Sequence, residues 1–186
     1  MVVMDVKIDN FICFRNFHMN MSYPKKIVGS YIENEFLPGR TNFRYKKVNI
    51  IMGANASGKT SIGKMLMRIF NFIDKKQYES LTDVICDVDK NASFEMDFVT
   101  DKCVLYRVKT VIRPKNGEKY SLSNIDVTVH STDITLRDSY ETCVKKIEAQ
   151  KEAKAATYIQ ELEKIQDLSW MFEYPFDSSE SMKGIY

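Results

Sequence analysis

Apolar and polar positions alternate from the start of the chain. Val2, Met4, Val6 and Ile8 fall on one side of an extended backbone, and Asp5, Lys7 and Asp9 on the other. That is the pattern of a half-buried strand. Phe17, Met19 and Met21 repeat it, and the two segments are expected to pair as a hairpin. Residues 22–45 carry Pro24, Gly29, Pro38 and Gly39 and read as irregular. "KVNIIM", ending at Met52, then predicts a short apolar strand. After it the period changes. Ile62, Met65, Leu66, Ile69, Phe70 and Ile73 recur at helical spacing and predict a helix from about Lys59 to Phe72.

A loop or short helix is expected over 74–91. Alternation returns at Phe94, Met96 and Phe98, at Val104, Tyr106, Val108, Thr110 and Ile112, and at Ile125, Val127 and Val129. These predict three antiparallel strands, with Asn116-Gly117 at the centre of a turn. From about Leu136 to Leu168 the spacing of Tyr140, Val144, Ile147, Tyr158, Ile159, Leu162 and Ile165 is helical, while "EAQKEAKAA" between them is polar. This predicts an exposed helix, or two, leaving the globular body, with an apolar stripe laid on another segment or chain. The tail "DSSESMKGIY" reads as frayed. The organisation expected is a nucleotide-binding lobe over 1–135 and a helical arm with its tail over 136–186.

Composition narrows the class. The 186 residues are 44% hydrophobic and 12% aromatic, enough for a core. The 27 basic and 25 acidic residues leave a net charge of +2, so global charge singles out neither nucleic acid nor membrane. Cys13, Cys86, Cys103 and Cys143 include no C-x-x-C pair, and only two histidines accompany them, which argues against a zinc site. They read as reduced thiols of a cytoplasmic protein. The sequence shows no signal-peptide pattern, and no apolar run approaches the ~18 residues of a membrane span.

The sharpest chemistry lies in "GANASGKTS". Gly53, Gly58, Lys59 and Thr60 fill G-x-x-x-x-G-K-[ST], between the predicted strand and the predicted helix. Glycines let backbone amides face phosphate oxygens without an intervening Cβ. The candidate nucleotide-binding residues are Gly53, Ala54, Asn55, Ala56, Ser57, Gly58, Lys59, Thr60 and Ser61. Lys59 is the candidate catalytic group, reaching the β- and γ-phosphates of ATP. Thr60 is the candidate Mg²⁺ ligand through its hydroxyl.

"VKIDNFICFRNFHM", a spacer and "VNIIMGANASGKTSIGKML" together resemble the opening of the ABC-type ATPases of the RecF, SMC and OLD group. Asn10-Phe11, Phe14, Phe17 and the loop residues carry the resemblance, which covers 1–73. It implies an α/β fold: the first lobe of a P-loop NTPase with parallel core strands, an antiparallel β-subdomain and a C-terminal helical arm. It implies ATP and Mg²⁺ as cofactors and a role in genome maintenance or phage defence. Where the family often has arginine after Asn-Phe, this chain has Ile12. Arg15 is either a replacement contact for phosphate or adenine, or a solvated turn residue.

Other family parts are missing from the sequence. The seven glycines include no adjacent pair for a signature motif, and no apolar strand ends in Asp-Glu. "VICD", ending at Asp87, is the nearest imitation, and Asp87 reads as a surface carboxylate. His130 and His18 read as strand histidines. Gln77, Gln150, Gln160 and Gln166 are equal candidates for a Mg²⁺-sensing glutamine. An N-terminal part of a longer ATPase is the expected identity, with a homodimer or a missing C-terminal half as partner. A P-loop kinase of a small acceptor and a non-catalytic nucleotide-binding interaction protein are the alternatives. A GTPase is disfavoured because no N-K-x-D occurs. Lys25-Lys26, Arg44 with Lys46-Lys47, Lys75-Lys76 and Lys145-Lys146 hint at nucleic acid, but an ordinary solvated surface explains them as well.

Overall fold

The computed structural model describes residues 1–23, 32, 35–55, 57–115, 117, 119–151 and 157–166. Its frame is mixed α/β. Seven strands are named: β1 (Val2–Asp9), β2 (Phe17–Asn20), β3 (Phe36–Leu37), β4 (Arg40–Arg44), β5 (Ala92–Val99), β6 (Val104–Ile112) and β7 (Ile125–Asp133). The helices are α1 (Lys59–Lys75), α2 (Glu79–Thr82), α3 (Tyr140–Glu148) and α4 (Tyr158–Leu162). β2-β1-β5-β6-β7 form one five-stranded sheet, and β3 and β4 form a separate hairpin.

Every ladder among the described strands is antiparallel. The expected parallel core is therefore not formed by these residues. The turn from Val99 to Val104 is too short for a parallel pair, which would need a crossover of roughly a dozen residues or more. The strand expected at 48–52 is not formed either. That segment pairs with no strand among the described residues, and Ile50 and Met52 are 77% and 86% exposed.

Both faces of the sheet are covered. On one face α1 lays Ile62, Met65, Ile69, Phe72 and Ile73 against Val6, Ile8, Phe94, Met96 and Val108. Fully burying side chains of this kind stabilises by about 1.5–3 kcal/mol each. The opposite face holds a smaller core of Met4, Leu37, Phe43, Val99, Leu105, Ile134, Tyr140, Cys143 and Ile147. There β3–β4 and α3 supply the cover. Residues 22–45 are thus not wholly irregular: Pro38-Gly39, with Gly39 at φ +72°, turns the β3–β4 hairpin.

The alternation in β1 does not run straight through. The register against β5 shifts between Val3 and Asp5, so Met4 is an extra residue. This bulge places Val2 and Met4 in the smaller core, whereas Val6 and Ile8 join α1. The four residues do not share one side, contrary to expectation.

The helical arm is also corrected. α3 and α4 are two short helices separated by residues that include the undescribed 152–156. Tyr140, Ile147, Tyr158 and Leu162 are buried in the chain's own cores, while Ile159 stays exposed. α4 packs on β7, where Glu161 Oε2 accepts a hydrogen bond from the Val129 amide at 2.9 Å. Gln150 Nε2 donates to the Ser131 carbonyl at 2.8 Å. Two backbone groups of the edge strand are so occupied by side chains. The turn expected at Asn116-Gly117 lies partly outside the described residues, and the frayed tail lies wholly outside them.

Candidate phosphate-binding site

The site is built from two loops. The first, residues 10–16, joins β1 to β2. Asn10 fixes it: its Nδ2 donates to the Asp87 carbonyl at 2.8 Å, and its Oδ1 accepts from the Asp87 amide at 2.8 Å. The Asn10 amide donates to the Phe14 carbonyl at 2.9 Å and the Ile12 amide to the Val84 carbonyl at 2.7 Å. Asn10, Ile12 and Asn16 all have positive φ, at 60°, 52° and 49°. Asparagine tolerates that region, but a β-branched residue such as Ile12 is strained there. Phe11 and Phe14 turn inward as anchors, and Phe14 and Phe17 have ring centroids 4.9 Å apart.

The second loop is Gly53–Gly58, running into α1. Glycine is favoured at 58 by its backbone, whereas at 53 a Cβ would push the Ser57 hydroxyl aside. A Cβ on Gly53 would meet Ser57 Oγ at 2.6 Å, and Gly58 has φ +90°. α1 begins without a side-chain cap and without an acidic residue in its first turn. Its first amides and the positive end of its dipole are thus free of a competing anion from the helix itself. Lys59 folds back over the loop. Its Nζ donates to the carbonyls of Gly53 and Ala54, each at 2.7 Å.

A cleft of about 670 Å³ separates the two loops, within the usual size range for small-molecule sites. Gly53, Ser57, Gly58 and Lys59 line one side, with Ile51 and Met52 at its edge. Arg15, Phe17, His18 and Met19 line the other. None of the described lining residues is acidic, and Arg15 and Lys59 bring positive charge from opposite walls. The chemistry suits an elongated anion with an apolar or aromatic end.

The structure brings only part of the predicted set together. Ala54 contributes its carbonyl to Lys59. Asn55, Thr60 and Ser61 stand outside the cleft lining, and Ala56 lies outside the described residues. Arg15 joins the cleft. So does His18, which the sequence marked only as a strand histidine; its Nε2 lies 2.8 Å from Asp5 Oδ2. The lone signal for His18 was its closeness to Arg15 along the chain. Asp87 faces Lys90 at 2.9 Å and is not in the lining. The Lys90 ammonium and, after it, the Asp89 amide hold the Asp87 carboxyl below its ordinary range. His130 sits on β7 opposite Arg107, away from the cleft. Among the described residues no cluster of three or more His, Cys, Asp or Glu could hold a metal, and no helix is long and apolar enough to cross a membrane.

No protein-family model matches the chain, and no curated protein matches it.

Proposed function

We propose that this chain is an ATP-binding lobe similar to the first lobe of RecF/SMC/OLD-type ABC ATPases. The observation that carries the reading is the Gly53–Lys59 loop, which runs into an uncapped, acid-free helix start beside a basic cleft. The fit rests on the donor set: Gly58 in a backbone conformation that favours glycine, free helix amides, and an ammonium already bent over the loop. Gly53, Ser57, Gly58 and Lys59 would hold the phosphates, and Thr60 would ligate Mg²⁺. Bound Mg²⁺ would offset the phosphate charge. Arg15 and Phe17, on the facing wall, would meet the adenosine end.

The finer architecture belongs to the same proposal. Val48, Ile50, Ile51 and Met52 are the strand of a parallel core that another polypeptide segment or a second copy completes. Their exposure, and the absence of a ladder partner among the described residues, support this, since a strand of a parallel sheet is covered on both faces. Action on nucleic acid or on a partner effector, in genome maintenance or phage defence, follows from the resemblance.

Calorimetry with Mg·ATP tests the reading. Wild type should bind, and Lys59→Ala should bind about 10- to 100-fold more weakly, the usual cost of losing hydrogen bonds to a charged group. Equal affinities would remove the site from the loop.

A further inference from the structure

Two exposed cysteines lie on adjoining segments beside the cleft. Cys13 lies in the β1–β2 connection and lines the cleft. Its Sγ would stand 3.7 Å from a Cβ built on Gly58, the residue that opens α1. Cys86 lies after α2 and is also exposed. Its thiol donates to the carbonyl of Ile12, the residue bonded to Cys13. The Cys86 sulfur is thus within about one residue length of the Cys13 backbone. The segments are held in place by the Cys86 amide on the Asn10 carbonyl at 3.1 Å and by the Phe11–Ile85 bridge. A disulfide needs Cα atoms within about 7 Å and side chains that can turn toward each other. The Cys86 thiol already reaches the peptide group that joins Ile12 to Cys13, and both cysteine side chains are exposed.

The other two cysteines differ. Cys143 is buried in the smaller core, and burial pushes its thiol up to about 11. Cys103 sits in the turn between β5 and β6, packed against that same core. Neither belongs to the cleft lining. Cytoplasmic disulfides, where they form, are mostly transient and redox-sensing, and sensor thiols are accessible with a resolving thiol nearby.

We propose that Cys13 and Cys86 are a thiol pair which hydrogen peroxide closes into a disulfide, and that closure disturbs the Cys13 wall of the cleft and lowers nucleotide affinity. The affinity part rests on the nucleotide reading above. In the first step the Cys13 sulfur attacks peroxide. An S–O bond forms, the O–O bond breaks, and one water leaves. In the second the Cys86 sulfur attacks the sulfenic acid. The S–S bond forms, the S–O bond breaks, and the hydroxyl departs with the Cys86 proton as a second water. One peroxide is reduced and two thiols are oxidised.

The experiment treats the intact chain with peroxide and maps its peptides by mass without reductant. It then titrates Mg·ATP into the reduced and oxidised forms. The expected result is a Cys13–Cys86 linked peptide, with affinity lowered by about tenfold, an ordinary size for coupling between two events, and restored by dithiothreitol. Cys13→Ser and Cys86→Ser, checked for folding by circular dichroism, should each abolish the link and the peroxide effect. Oxidation without that linked peptide overturns the pair, and a linked peptide with unchanged affinity overturns the coupling. If the reduced chain binds no Mg·ATP, the nucleotide reading fails and takes the coupling with it, and the peptide map alone decides the pair.

Discussion

Arg107 holds Asp97 with a two-pronged contact: Nε to Oδ1 and Nη2 to Oδ2, each at 2.7 Å. The Tyr140 hydroxyl donates to the same Oδ2 at 2.7 Å. Asp97 is nearly inaccessible, so the network ties β5, β6 and α3 together at the border of the smaller core. Burial, ahead of the Asp97 charge, pushes the Tyr140 phenol far above its ordinary range. It is a fixed donor at any working pH. Asp97→Ala should cost about 1–3 kcal/mol, because Arg107 loses its two short bonds and keeps only the longer contacts to Glu148 at 3.6 Å and Glu95 at 3.9 Å. Urea unfolding measures this. A loss under ~1 kcal/mol, the size of an ordinary exposed pair, would show that the network holds little.

Gly58→Ala is expected to strain the loop. An alanine at φ +90° costs on the order of 1–2 kcal/mol. The helix start should shift to relieve it. Thermal unfolding and Mg·ATP titration should both report a loss. Unchanged affinity with lowered stability would separate this glycine from phosphate binding.

Asp138 supplies a pH signature. Burial alone would raise its carboxyl, but Lys146 Nζ at 2.6 Å and the Thr135 amide at 2.8 Å outweigh it, and the group lies below its ordinary range. Its folded form therefore favours the ion. The stability it contributes is complete above the unfolded aspartate value of about 3.9, and is lost as pH falls through the lower folded value. Asp138→Asn should destabilise at neutral pH and flatten the acid limb of the stability curve. Equal acid limbs for both proteins would contradict the assignment.

Glu161 occupies the outer edge of the sheet through the Val129 amide, and Lys164 Nζ lies 2.5 Å from its other oxygen. Glu161→Ala leaves that amide without its acceptor, at a cost of about 1–3 kcal/mol. Glu161→Gln keeps an acceptor and should cost less. Denaturant midpoints of the two variants decide; the reverse order would be inconsistent with an edge-capping role.

The chain alone is expected to bind ATP without turning it over. Phosphoryl transfer depends on charge stabilisation and positioning around the γ-phosphate. The described cleft supplies cations on two walls and no carboxylate to orient water. A phosphate-release assay should show no turnover above that of Lys59→Ala. A rate near ~1 s⁻¹, lost in that variant, would point to a carboxylate outside the cleft lining, with Asp87 the first to mutate.

What could be read from sequence followed local rules. α1, the β1–β2 hairpin and strands β5 to β7 each show a period over enough residues to be recognised. The bulge at Met4 was hidden because alternating apolar residues look the same whether they serve one core or two. The β3–β4 hairpin was hidden by its brevity, although Pro38-Gly39 marked its turn. The stripe of α3 and α4 was legible as apolar, but its destination depended on long-range packing against β7 and the smaller core. At the cleft, Lys59 and its glycines were visible as a motif. His18 and Cys13 enter the lining beside a loop with left-handed backbone at Asn10 and Ile12, which no spacing reveals.

The extra residue in β1 sets how the chain tolerates deletions. Without Met4, Val3 and Asp5 would follow one another in an unbroken ladder against Phe98 and Asp97, their present partners. The register would survive, and the smaller core would lose one side chain. Loss of any single residue from Val6 to Ile8 would instead reverse the facing of what precedes or follows it, and a slip of one position exchanges the two sides of a strand. One strand thus holds a length change that costs a side chain beside one that costs a register. The second kind lies next to the loop that walls the cleft.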